Sequence, residues 1–193
     1  MKTHFVRDLL FMGAIVSLTG FASCDNKPDD AKEAAEETNE QVLDDRKSEK
    51  DAEFLVEAAD INLMEIHMGK MAAEKATLPE VKDYAKKMET DHQKSLDDLT
   101  ALASSKNITI PGTPSEETMK MHEKFADKSG YDFDRAFMNE MVDGHEKAVN
   151  KFEKAADNCE DTDIKAWASN SLPDLRAHLE SAKMLKDKVK DMK

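Results

Sequence analysis

The sequence predicts an all-α protein in which two helical hairpins, joined by a long crossover containing a short helix, pack as a four-helix bundle. Three observations carry this. Apolar residues recur every three or four positions along four long stretches. Helix-breaking or turn-forming residues fall between those stretches. Strand signals reduce to Asn107 to Pro111 (NITIP), too short to build a sheet.

The first helix begins near Asp51 and carries Phe54, Ala58, Ile61, Glu65, Met68 and Ala72 on one face. It ends near Leu78, because a residue preceding proline disfavours the helical region and Pro79 follows. The second helix places Val81, Ala85, Met88, His92, Leu96, Leu99 and Leu102 on one side. Residues 104–133 are too long for a turn and read as the crossover, with Thr113-Pro114 starting its short helix and Gly130 ending it. The third long helix carries Phe133, Phe137, Met141, His145, Ala148, Phe152 and Ala155. The fourth carries Ile164, Ala168, Ser171, Leu175, His178, Ala182, Leu185 and Val189, with Pro173 inside it. Proline removes a backbone donor and crowds the preceding turn, so a kink is expected there. Ser171 and Asp174 have the form of a capping box from which the second half can restart. Two hairpins with one long crossover have the connectivity of ferritin-like bundles.

Residues 1–23 have the layout of an export signal: Lys2 and Arg7, an apolar run, then Ala22 and Ser23 directly before Cys24. The end of this run resembles the lipobox of bacterial lipoproteins, in which the cysteine is lipidated. That implies a lipid-anchored protein of the bacterial cell envelope, periplasmic or surface-facing, with the membrane as partner through its N-terminal lipid. Cys159 is the one other cysteine, so a lipidated Cys24 leaves no disulfide. Residues 24–50 are acidic and nearly devoid of apolar side chains, which predicts a disordered tether ahead of the bundle at residues 51–193. Its KEAAEET stretch has high helix propensity. The whole chain has a net charge of −13, which repels phosphate backbones and argues against nucleic acid as a partner.

Each long helix places one titratable residue on its apolar seam: Glu65, His92, His145 and His178. Buried without partners these groups are costly, so they either hydrogen-bond to one another or hold a cation. Imidazole and carboxylate together suit iron, zinc, copper or manganese, and bundle cores are where such sites are built. Counting at ~1.5 Å per residue levels Glu65 with His92 but leaves His145 and His178 offset by ~7 Å. A di-iron centre asks for two glutamates and two Glu-x-x-His pairs. Glu65 fits one position, and Glu89 with His92 gives one pair. His145 stands where a glutamate is required and His178 has no glutamate partner, so a full di-iron oxidase is not supported. Glu89 is a candidate fifth ligand, while Asp174 reads as a helix cap.

His67 and His122 fall off the seams and read as exposed. The methionines read as core filler, Trp167 as packing between helices, and Cys159 as a loop thiol raised by Glu160 and Asp161. No catalytic triad, glycine-rich phosphate loop or paired-cysteine motif is present.

Asp91-His92, Phe133-Asp134, His145 and Leu172-Pro173 with His178 resemble the signature positions of domain-of-unknown-function family 4142, exported bacterial proteins of the ferritin-like superfamily. The resemblance covers about residues 51–188. It implies the four-helix fold and an envelope location, and no reaction. Two functions stay open: an envelope lipoprotein whose Glu/His cluster holds a transition metal for storage, sensing or stress protection, or a structural and interaction lipoprotein in which the same layer only fixes helix packing.

Overall fold

The computed structural model describes residues 30–43 and 46–193. Among them are six helices and no strand: α1 (Ala31–Val42), α2 (Arg46–Lys75), α3 (Pro79–Ser105), α4 (Glu116–Ala126), α5 (Gly130–Asn158) and α6 (Thr162–Val189). No helix of the described residues is long and apolar enough to cross a membrane. The hairpins α2–α3 and α5–α6 form the four-helix bundle, and α4 lies in the crossover against α2 and α5. The proposed signal and Cys24 fall outside the described residues.

Each hairpin turn is held by a buried carboxylate from the other hairpin. Asp134 of α5, fully buried, accepts from the backbone N–H of Thr77 at 2.8 Å and of Leu78 at 2.7 Å. Leu78 is the N-cap of α3 and has no side-chain acceptor of its own, so the remote carboxylate takes the amides the turn leaves free. Asp51 of α2 accepts from Glu160 N and Asp161 N, the latter at 2.7 Å. Asp51 and Asp134 are separated in sequence by the same interval as Thr77 and Glu160, and as Leu78 and Asp161. The two hairpins are therefore structural repeats, each clamping its partner's turn.

Close approach between α2 and α3 depends on Gly69, where an added Cβ would lie 2.9 Å from the Ala85 carbonyl oxygen. The apolar interior is divided in two. One cluster gathers Met68, Met88, Phe133, Phe137 and Met141. The other gathers Phe54, Leu99, Phe152, Ile164 and Leu175, with Trp167 packed against both Phe54 and Phe152 as the sequence suggested. The buried polar side chains Asn62, Glu65, His92, His145 and His178 complete the interior.

Several expectations are corrected. The segment read as a disordered tether is helical over Ala31–Val42, although it offers little apolar surface. Its order comes from specific bonds: Asn39 Nδ2 donates to Thr109 O and Asn39 Oδ1 accepts from Thr109 N, both at 2.8 Å, while Asp30 caps α1 and accepts from Glu116 N. α2 also begins before Asp51, at Arg46. The crossover helix is capped by Ser115 instead of starting at Thr113, since Asp60 holds the Ser115 amide and hydroxyl. Gly130 does not end that helix; it opens α5, with a φ of +60° that a side chain rarely adopts. α6 runs through Pro173 without a break, and Ser171 Oγ donates back to Trp167 O at 2.9 Å, so no capping box restarts the helix and Asp174 is not a cap.

Asp134→Ala leaves two turn amides without an acceptor and is expected to lower unfolding stability by roughly 2–4 kcal/mol in denaturant titration. Asp132→Ala, on the exposed side of the same helix turn, should stay within ~0.5 kcal/mol.

Candidate metal centre

Three of the seam residues converge. His92 from α3, His145 from α5 and His178 from α6 have ring centroids 5.4–5.6 Å apart in every pairing. One ring nitrogen from each lies within 4.8 Å of the others. Among the described residues no other group of three or more His, Cys, Asp or Glu is so placed. The height difference expected between His145 and His178 is partly removed because α6 starts only at Thr162, and the side chains span the rest.

The hydrogen bonds around the triad decide which nitrogens are available. Asn62 Nδ2 donates to Ala58 O at 2.9 Å, which fixes Oδ1 as the atom facing His92. His92 Nδ1 therefore donates to Asn62 Oδ1, at 2.9 Å. His145 Nδ1 donates to the Met141 carbonyl at 2.9 Å, one turn back on its own helix. His178 Nε2 donates to Asp91 Oδ2 at 2.8 Å. A neutral imidazole carries one N–H, so His92 Nε2, His145 Nε2 and His178 Nδ1 are left as bare lone pairs. All three of these atoms are buried and have no hydrogen-bond partner. Donation of the second ring nitrogen to a carbonyl, amide or carboxylate is the arrangement that orients imidazoles toward a metal ion.

Burial opposes charging His92 and His178. Burial holds His92 well below the usual imidazole range, and the neighbouring His145 and His178 add to this. His178 is also lowered by burial, against the pull of its bond to Asp91. Asp91, despite partial burial that acts the other way, is held below the usual carboxylate range by Lys87 and His178. It thus links a surface lysine to a core histidine.

Glu65 is buried but sits behind the triad. Its Oε1 lies 3.5 Å from His145 Nδ1, the nitrogen turned away from the bare lone pair, and its Oε2 has no partner. Burial raises its carboxyl, against His145, and nearby Glu140 raises it further. Gly144 of α5 lies beside it, and a Cβ there would make only an ordinary contact, 3.6 Å from Glu65 Oε1. Glu89 is half-buried on α3 and is not among the converging groups. The structure thus brings together three of the five candidate ligands, stands Glu65 against the back of one ring, and leaves Glu89 outside.

Sequence reasoning missed Asn62 and the partnership of Asp91 with His178. Asn62 had a signal, being a polar residue one turn before Glu65. His67 and His122, read as exposed, are half-buried and stacked with centroids 4.4 Å apart, because α4 folds back over α2. Met68, Met88, Met138 and Met141 are fully buried filler. Cys159 is buried beside Asp51, and burial with that carboxylate pushes its thiol up to about 12.

A family model described as a domain of unknown function, DUF4142, matches residues 33–185. The chain belongs to the DUF4142 family. No curated protein sequence matches it. Among solved structures it is similar to CopM in the Cu(II)-bound form, with a TM-score of 0.60 and 20% identity, over 72% of this chain and 96% of that one. It is also similar to rv2844, a conserved hypothetical protein from Mycobacterium tuberculosis, with a TM-score of 0.57 and 14% identity, over 73% of this chain and 93% of that one. At these identities the likeness establishes the shared fold. Within this DUF4142 chain, the signature residues now have visible tasks. Asp134 clamps a turn, Asp91 orients His178, and His92, His145 and His178 form the triad.

Metal-free protein should lose stability on acidification. His92 and His178 have folded values below the unfolded one, so the unfolded chain binds more protons as pH falls through ~6.5. Glu65, being raised, acts in the opposite sense, and its contribution is lost as pH rises. The melting temperature is expected to fall from pH 7 to pH 5, and to fall more steeply in Glu65→Gln. A flat profile in both would contradict neutral, buried rings.

Proposed function

We propose that this chain is a metal-binding bundle that takes one transition-metal ion on His92 Nε2, His145 Nε2 and His178 Nδ1. The observation that carries the reading is the set of three buried, unpartnered nitrogens, each on a ring whose other nitrogen is tied down. Unpaired polar atoms in a protein interior are costly, and a Lewis acid is the partner that satisfies three lone pairs at once.

The donor set favours copper or zinc over iron or manganese. Three imidazoles without a directly opposed carboxylate suit copper and zinc, and divalent copper binds nitrogen ligands most tightly in the first-row series. That CopM, of the same fold, was solved with Cu(II) makes copper the first ion to test. Three protein ligands leave one position of a tetrahedral ion free for a water, an exchangeable anion or a transfer partner. The role this supports is holding or handing on metal in the envelope, for storage, sensing or stress protection. It calls for no catalytic step.

Protein purified without chelators should carry a transition metal by native mass spectrometry and elemental analysis. Added Cu(II) or Zn(II) at about 100 times Kd should stabilise the fold by ~2.7 kcal/mol, or roughly 5–10 °C in melting temperature. His92→Ala and His178→Ala should abolish that rise, while His67→Ala and His122→Ala keep it. No metal-dependent shift in the wild type would return the triad to a polar layer that sets helix packing.

The same reading keeps the chain on the cell envelope, held by lipid on Cys24. It is supported by the export-signal layout of residues 1–23 and by the cysteine that directly follows it. Cys24→Ala should move the protein from the membrane to the soluble fraction; unchanged retention would remove the lipid from the account.

A further inference from the structure

We propose that the pocket between α3 and α6 is the entry port by which a hydrated transition-metal cation reaches the triad, with Asp98 and Asp174 taking it from solvent. The inference rests on the metal-binding reading above and adds the route. The pocket holds about 170 Å³, large against the ~10–15 Å³ that seats one water. Asp91, Ser95 and Asp98 line it from α3, and Trp167, Asn170 and Asp174 from α6. Asp98 and Asp174 are exposed and form its rim, while Asp91 is partly buried.

What distinguishes this pocket is its inner end. His92 and His178, each 3% exposed, line it, and each carries one of the unpartnered nitrogens. His145 does not line it. A cation entering here meets His92 and His178 first and completes its coordination on His145 behind them. The hydroxyls of Ser95 and Ser171 and the amides of Asn62 and Asn170 offer oxygens along the wall, replacing waters as the ion is stripped.

The other pockets fit this task poorly. The groove over Gly144 sets Lys32, Lys147 and Lys151 against Glu57, Asp60, Glu117 and Glu140, so its charges nearly cancel, and it touches none of the three histidines. The groove beside Cys159 carries Lys50, Lys147, Lys151 and Lys154. The pocket between α1 and α2 is rich in glutamate, including Glu36 and Glu40, yet touches none of the three histidines. The α3–α6 pocket has three carboxylates against one lysine, Lys94. A cleft of one sign concentrates ions of the other and speeds their arrival.

Trp167, the chain's one tryptophan, stands in the wall and reports on entry, because bound Cu(II) quenches indole emission. Stopped-flow mixing of metal-free full-length protein with Cu(II) measures loading, and elemental analysis measures the final stoichiometry. Asp98→Asn with Asp174→Asn should slow loading about three- to tenfold at low ionic strength, with the gap closing at high salt. The full stoichiometry should still be reached, later. Glu36→Gln with Glu40→Gln removes the same charge elsewhere and should leave the rate unchanged. Ser95→Phe, which fills the pocket without altering charge, should slow loading and release alike. Unchanged rates in the port variants, or equal slowing in the Glu36/Glu40 control, would overturn the port while leaving the metal site standing. A wild type that takes up no metal would overturn both.

Discussion

A neutral imidazole has one proton to give and one lone pair to use, and in this interior the proton is committed on all three rings. Asn62, the Met141 carbonyl and Asp91 each take one N–H, from three different directions. The lone pairs are left without hydrogen-bond partners on three rings whose nitrogens approach within 4.8 Å of one another. Everything else about the centre follows from that constraint. Burial opposes charging His92 and His178, and Lys87 and His178 both favour the charge on Asp91. The shell that looks secondary in distance is primary in deciding what the triad can bind.

Such an arrangement needs helices whose relative heights do not drift. The reciprocal clamps of Asp51 and Asp134 provide this, since each fixes the turn of one hairpin to the starting helix of the other. A slip of either hairpin would strand backbone amides as well as shift a histidine. Gly69 sets the lateral spacing of α2 and α3 in the same sense, because its contact with Ala85 leaves no room for a side chain. Turn, spacing and site are therefore one mechanical system, in which the two apolar clusters supply cohesion and the carboxylates supply register.

The four long helices were legible because their seams are periodic, and the histidines stood out because they interrupt those seams. The triad could be read to that extent and no further. Which nitrogen of each ring is bare depends on Asn62, Asp91 and a main-chain carbonyl, and only the first two have a side chain that a sequence can show. Glu65 belongs to the right seam, yet helical spacing does not say which edge of His145 its carboxylate meets. α1 escaped because its composition is that of a tether; two bonds between Asn39 and Thr109, far apart in sequence, order it. Ser171 and Asp174 misled in the other direction: α6 continues through Pro173, and the Ser171 hydroxyl bonds back to Trp167 O instead of capping a new start.

The repeat relation between the hairpins has an evolutionary reading. Counting from the clamping carboxylates, Asn62 occupies in α2 the position that His145 occupies in α5. The two halves are thus alike in their clamps and unlike at their centre, where the same interval sets Asn62 against His145, His92 against Leu175 and Ser95 against His178. In the second half the first of these positions carries one of the three unpartnered ring nitrogens; in the first half it is an amide that orients His92. A repeated hairpin can keep its scaffold under common constraints while its two occurrences divide the labour of presenting an imidazole and of orienting one. An Asn62→His chain asks directly how far that division can be undone, because it restores the symmetric residue and removes the acceptor that holds His92 in place.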